Sequence, residues 1–213
     1  MLEVAEKQDF LNITQINKSF RINSSVSIQS DKIIAIACSA GGPKALSTIL
    51  SQLPQSFNQT IIIAQHMAPD SAKSFSSWLN SQSKLPVEVI QENKAIEKGK
   101  VYVCSPESDW EVNSPNKKLP VSKNSTHLYS PSCDVLLSSL ARSYKKNVVG
   151  IILNGMGDDG VEGMIAIHNN GGVTIAQDEE TSTVFGMNRV AINEGAIEKV
   201  LTLDQIALEI AST

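Results

Sequence analysis

The sequence predicts an α/β domain built on a doubly wound, mostly parallel sheet with helices on both faces. Three observations carry that expectation. From Asp31 onward, short β-branched and aliphatic runs alternate with segments of helical spacing. The run "VVGIILN" (148–154) is almost continuously apolar, as a central strand covered on both sides requires. Helix-end signals fit as well: "PDSAKSFSSWLN" and "SPSCDVLLSSLARSYKK" open on Pro or Ser, and "VEGMIAIHNNGG" closes on Gly.

Residues 1–30 are polar, and their apolar positions (Phe10, Leu11, Ile13, Ile16, Phe20 and Ile22) keep neither a helical nor a strand period, so they read as a tail or linker. Residues 31–213 read as one domain, since a 213-residue chain with 41% hydrophobic residues can bury a full core. The first strand is "KIIAIA" (32–37), followed by a helix from near Gly42 to before Pro54. "QTIIIAQH" brings a second strand up to His66, and "PDSAKSFSSWLN" follows as a helix with Pro69 at its N-terminal end. From about 85 to 130 the pattern is broken: "VEVIQ", "KVYVCS" and "WEVN" read as short strands in a strand-rich insertion or sheet edge.

The alternation then resumes. "SPSCDVLLSSLARSYKK" is a helix with Ser130 as N-cap, Pro131 in the first turn, and Val135, Leu136, Leu140 and Ala141 on one face. After the strand in "VVGIILN" come a helix "VEGMIAIHNNGG", a strand "VTIAQ", a short helix "RVAINEG", a last strand "KVLTL" and a helix "DQIALEIA". No internal repeat is visible.

Composition narrows the function classes. A net charge of -4 with scattered Lys and Arg lacks the basic footprint of a nucleic-acid binder. No apolar run approaches the roughly 18 residues of a membrane span, and the first residues lack a signal-peptide layout, so a cytoplasmic protein without membrane insertion is expected. Cys38, Cys104 and Cys133 match no zinc or disulfide spacing and read as small buried apolar residues.

In open α/β sheets, reactive groups gather beyond the carboxyl ends of the strands. The residues there are Ser39 in "ACSAGGPK", His66 in "AQHM", and the acids of "NGMGDDG". A serine hydroxyl needs a base as it attacks, imidazole titrates near the working pH, and a carboxylate fixes its tautomer. Glycines beside the serine let backbone N–H groups approach an oxyanion, and a helix N-terminus suits negative charge. Each residue also has a plainer reading: Ser39 as a helix cap, His66 as a structural residue, Asp158 and Asp159 as turn formers. "CSAGGPK" is neither G-x-G-x-x-G nor a P-loop, and "GDDGVEG" fails the EF-hand spacing. An α/β-hydrolase would carry G-x-S-x-G and a later histidine, whereas Ala37 replaces the first Gly and His168 falls at a helix end or surface.

Five ordered blocks, "ACSAGGPKAL", "IIIAQHM", "SPSCDVLLSSLA", "IILNGMGDDGVEGM" and "TIAQDEETSTVFGMNRVAI", resemble the catalytic domain of bacterial chemotaxis protein-glutamate methylesterase, the CheB family. The resemblance runs from about residue 31 to the end. It implies hydrolysis of γ-glutamyl methyl esters on the cytoplasmic helices of chemoreceptors, with receptor glutamine deamidation as a companion activity in many members. It places the nucleophile on Ser39, the base on His66 and the acid on Asp159, while Asp158 occupies a variable position. Backbone support for the oxyanion falls on Ala40, Gly41 and Gly42, with Met156 and Gly157 of "GMG" beside it. No metal or organic cofactor is expected.

Family members of the chemotaxis type carry an N-terminal receiver domain, for which thirty residues are too few, so control by a receiver or another partner protein is an open expectation. Three departures stand out: Ala40 replaces Thr, Asn188 replaces Pro in "GMPR" with an expected loss of loop rigidity, and Asp109–Trp110 replaces an Arg–His pair expected among the substrate contacts. These departures also motivate the alternative of a non-catalytic binding module that retains the fold.

Overall fold

The structure, a computed structural model, describes residues 31–112, 121–122 and 129–213. Readings that concern residues 1–30 lie outside the described residues. Seven strands form one sheet in which every pairing is parallel: β1 (Ile33–Cys38), β2 (Thr60–Gln65), β3 (Val87–Val89), β4 (Val101–Val103), β7 (Val148–Ile152), β8 (Val173–Gln177) and β9 (Lys199–Leu201). Their order is β3-β4-β2-β1-β7-β8-β9. β5 (Asp109–Trp110) and β6 (Val121–Ser122) make a separate antiparallel ribbon.

Strand periodicity sorts the core into two layers. Ile33, Ala35 and Ala37 of β1, with Ile62, Ala64, Ile152 and Ala176, face helices α3 (Cys133–Tyr144), α4 (Val161–Asn169) and α5 (Met187–Asn193). Ile34 and Ile36, with Ile61, Ile63, Val149, Ile151 and Ile175, face α1 (Gly42–Gln52), α2 (Ala72–Gln82) and α6 (Leu203–Ala211). Alternate side chains point to opposite faces, so a strand buried on both must be apolar throughout, and β1, β2 and β7 are buried at almost every position. The expected doubly wound sheet is therefore present, with three helices on each side among the described residues.

Several boundaries differ from the sequence reading. α3 is capped by Ser132, whose hydroxyl accepts from the Val135 N–H, and not by Ser130. Pro69 lies ahead of α2, which begins at Ala72 after a turn with Asp70 at φ 64°. The broken middle is divided: β3 and β4 are the edge of the main sheet, and of the described residues of "WEVN" (110–112) only Trp110 joins a strand. The three cysteines are buried and unpaired, as expected, and His168 is exposed in the last turn of α4.

Candidate active site

The sheet turns over at β1, whose neighbours are β2 on one side and β7 on the other, so the loops leaving these three strands meet at one edge. Ser39 directly follows β1. Its N–H donates to the Asn154 carbonyl at 2.8 Å, and its own carbonyl accepts from the Gly42 N–H at 2.9 Å. The Ser39 hydroxyl does not cap α1. The cap position belongs to Gly41, at φ 87°, with no side-chain cap bond, and the positive φ explains a glycine there.

His66 directly follows β2. Cys38 and Gln65 are register partners, and the His66 N–H donates to the Cys38 carbonyl at 3.0 Å, so Ser39 and His66 stand one step beyond the last paired positions of adjacent strands. His66 Nε2 lies 2.6 Å from Asp159 Oδ2. Tyr129 stacks on the imidazole, with ring centroids 5.0 Å apart and planes within 9°.

Asp159 comes from the loop after β7 and is buried beneath His66. Its carboxylate accepts from four donors: His66 Nε2, the Cys133 N–H at 2.8 Å, the Asp134 N–H at 3.0 Å and the Ser132 hydroxyl at 3.1 Å. The last three belong to the start of α3, where backbone N–H groups have no partner within the helix. Burial by itself pushes the Asp159 carboxyl up, but the His66 bond and the Asp134 and Cys133 N–H groups outweigh it and hold the carboxyl below its ordinary value. Asp134 fares the other way. Burial and the charge of Asp159 push it up to about 6 against the pull of the Gly163 N–H.

The structure thus joins His66 to Asp159 and brings Ser39 beside them, while among the described residues no hydrogen bond links the Ser39 hydroxyl to the imidazole. Such bonds are commonly long before substrate arrives. Since Nε2 faces Asp159, Nδ1 is the ring nitrogen left for the serine side. The 154–157 loop lies against Ser39: a Cβ on Gly155 would stand 3.0 Å from Ser39 Cβ. The N–H groups of Ala40, Gly41, Met156 and Gly157 have no acceptor among the described residues, whereas that of Gly42 is already taken by the Ser39 carbonyl. Gly42 therefore differs from the other four as an oxyanion donor.

Asp158 and the Met156 side chain are exposed. Two concavities flank the histidine and its acid. One of about 600 Å³ holds Asp134, Asp158, Asp159, Glu162 and Glu194, and one of about 440 Å³ lies beside His66 with Met67, Phe75 and Trp78. His66, Cys133 and Asp159 offer donor atoms within 4.8 Å of one another, a set able to hold a metal. The 2.6 Å Nε2–Oδ2 hydrogen bond already engages the atoms such an ion would need, and burial with the Asp159 charge pushes the Cys133 thiol well above its ordinary pKa.

The departures from the family pattern have structural roles. Asn188 is fully buried in the first turn of α5, and its Nδ2 donates to the Gln177 carbonyl at 2.8 Å, which ties α5 to the end of β8. Asp109 and Trp110 are buried: the Asp109 carboxylate accepts from the Ser132 N–H, and Trp110 Nε1 donates to the Ser105 carbonyl. They brace the α3 start and its surroundings and are not surface contacts. Ala40 is exposed at the turn.

Sequence reasoning missed Ser132, Tyr129, Asn154 and Gln65. "SPSCD" carried a cap signal for Ser132, and the single polar residue closing "IIIAQ" marked Gln65.

The description "CheB methylesterase" belongs to a family model that matches residues 34–210. A protein-glutamate methylesterase/protein-glutamine glutaminase of Paramagnetospirillum magneticum is 40% identical over 175 residues, covering 82% of this chain and 49% of that protein. One of the same name from Lawsonia intracellularis is 39% identical over 205 residues, covering 94% and 57%. The crystal structure of the Thermotoga maritima CheB methylesterase catalytic domain superposes with a TM-score of 0.82 at 33% identity, covering 86% of this chain and 98% of that one. The chain spans about half the length of the curated relatives it matches.

Proposed function

This chain belongs to the CheB methylesterase family, and from that premise we propose that it hydrolyses γ-glutamyl methyl esters on the cytoplasmic helices of chemoreceptors through Ser39, His66 and Asp159. The observation that carries the proposal is the His66–Asp159 pair at 2.6 Å, held at the strand edge where Ser39 leaves β1 beside it.

In the proposed cycle, Ser39 Oγ attacks the ester carbonyl and His66 Nδ1 takes its proton. Asp159 stabilises the imidazolium through Nε2–H. The N–H groups of Ala40 and Gly41, with those of Met156 and Gly157 across the cleft, receive the oxyanion, each such donor being worth roughly two to three orders of magnitude in other hydrolases. Collapse breaks the carbon–methoxy bond, and the imidazolium proton leaves with methanol. Water then repeats the attack on the acyl-serine and releases a glutamate carboxylate. A glutamine side chain enters the same cycle with ammonia as leaving group, in keeping with the double name of the relatives.

This reading places the protein in the cytoplasm, with receptor helices as substrate and a receiver domain or partner protein as its control. Among the described residues no helix is long and apolar enough to cross a membrane. The test is methanol release from a methylated chemoreceptor cytoplasmic fragment. Ser39→Ala is expected to lower the rate by at least about 10³-fold with folding intact. Release that persists in the variant would remove Ser39 from the mechanism. No release from either protein, with receptor binding retained, would favour a binding module.

A further inference from the structure

Gln65 closes β2 at a position where the strand pattern calls for an aliphatic residue. Ile61, Ile63 and residue 65 share the face covered by α1 and α2, yet residue 65 is a carboxamide with 3% of its surface exposed. Its Nε2 donates to the Ser39 carbonyl at 3.0 Å and to the His66 carbonyl at 2.8 Å. Two facing carbonyls accept only, which fixes the NH₂ end of the amide. We propose that Gln65 is a positioning residue for the reaction: one buried carboxamide holds the main chain of the nucleophile and of its base, and so sets the approach of Ser39 Oγ to His66 Nδ1. The inference rests on the roles proposed above for Ser39 and His66.

Two further observations separate this from ordinary packing. The other end of the amide, Oε1, is buried without a hydrogen-bond partner, a cost to stability that an aliphatic side chain would not carry. The first helical residue of α1 is also shaped around it, since a Cβ on Gly42 would stand 2.1 Å from Oε1. The location is where a tie matters. The bond from the His66 N–H to the Cys38 carbonyl is the last between the two strands, and beyond it the chains separate toward α1 and α2. Past that point, among the described residues, the Gln65 carboxamide links residues 39 and 66.

The test compares Gln65→Met, which keeps the length and removes both donors, with Gln65→Glu. Readouts are kcat and KM on the methylated receptor fragment, the rate at which a small fluorophosphonate labels Ser39, and the melting temperature, with Ser39→Ala as the blank. Displacement of reacting groups by about 1 Å costs roughly 10²-fold. Gln65→Met is therefore expected to lose about 10- to 100-fold in kcat and in labelling rate, with KM changed by less than about threefold and thermal stability retained.

In Gln65→Glu, burial against two carbonyls favours the neutral acid, which donates one of the two bonds until it ionises. That variant should show an alkaline loss of kcat that the wild type and Gln65→Met lack. If Gln65→Met does not fold, this limb decides alone. Wild-type kcat and labelling in Gln65→Met, or a change confined to KM, would overturn the inference while leaving the triad standing. A wild-type protein that neither turns over ester nor labels at Ser39 would overturn both.

Discussion

Four donors converge on the Asp159 carboxylate and hold it low, while burial, with the Asp159 charge beside it, pushes the neighbouring Asp134 carboxyl up. Asp134 sits in the first turn of α3, and its folded pKa of about 6 lies above the unfolded value of about 3.9. The folded state therefore holds that proton more tightly. The stability this contributes is intact below about pH 4 and is lost as pH rises through about 6, after which the loss is constant. Asp134→Asn removes the titration and keeps an acceptor for the Gly163 N–H. The variant should gain relative to wild type between about pH 4 and 6 and hold that gain above, read as urea midpoints across the range. A difference that ignores pH would show that Asp134 does not titrate there. Asp159, held low, works in the opposite sense: its contribution is present above about pH 4 and fails as acid protonates it. Residue types at strand ends made Ser39, His66 and Asp159 legible in the sequence as candidates. The pairing of His66 with Asp159 across 93 residues came only through the family resemblance, and the ring of Tyr129 stacked on His66 leaves no local pattern.

At the scale of elements, α3 and α4 form one unit that carries the acid. They meet where Gly163 faces Leu137, and a Cβ there would stand 2.4 Å from Leu137 Cβ. Overpacking of this kind typically costs 1–3 kcal/mol. Gly163→Val is therefore expected to lower the melting temperature by several degrees. Activity should fall beyond the loss of folded protein, because moving α3 moves the Cys133 and Asp134 N–H groups that hold Asp159. A variant with reduced stability and full specific activity would show that the site tolerates that shift. Element types and several ends are legible in the long periodic segments, such as the strand at Val173–Gln177 and the helix start at Gly42, while other ends are not. "SPS" offers two serines as caps, and the tendency of Pro to open a helix drew the reading to Ser130 when the chain uses Ser132. The short strands of the middle gave too little pattern to distinguish a sheet edge from a ribbon.

For the whole molecule, alternation of strand and helix predicted a parallel sheet with two covered faces, but the order of strands is a tertiary fact. It depends on which edge each crossover chooses. β7 pairs with β1 after the chain has built β2, β3 and β4 on the other side, and that choice brings Asp159 to His66. The final helix, α6, returns to the face of the first two, packs on α1, and buries Ile206 and Ile210 completely. Two such side chains are worth roughly 3–6 kcal/mol, much of a typical 5–15 kcal/mol margin. Deleting residues 203–211 should give a protein that binds a hydrophobic dye and lacks a cooperative urea transition. A sharp transition near the wild-type midpoint would show that the face closes without α6.

The return of α6 also bears on how the protein is made. During synthesis, one side of the sheet keeps part of its aliphatic surface wet until residues 203–211 have left the ribosome. A nascent chain with Ser39, His66 and Asp159 already outside then still exposes that aliphatic face, the kind of surface that makes incomplete folds prone to aggregate.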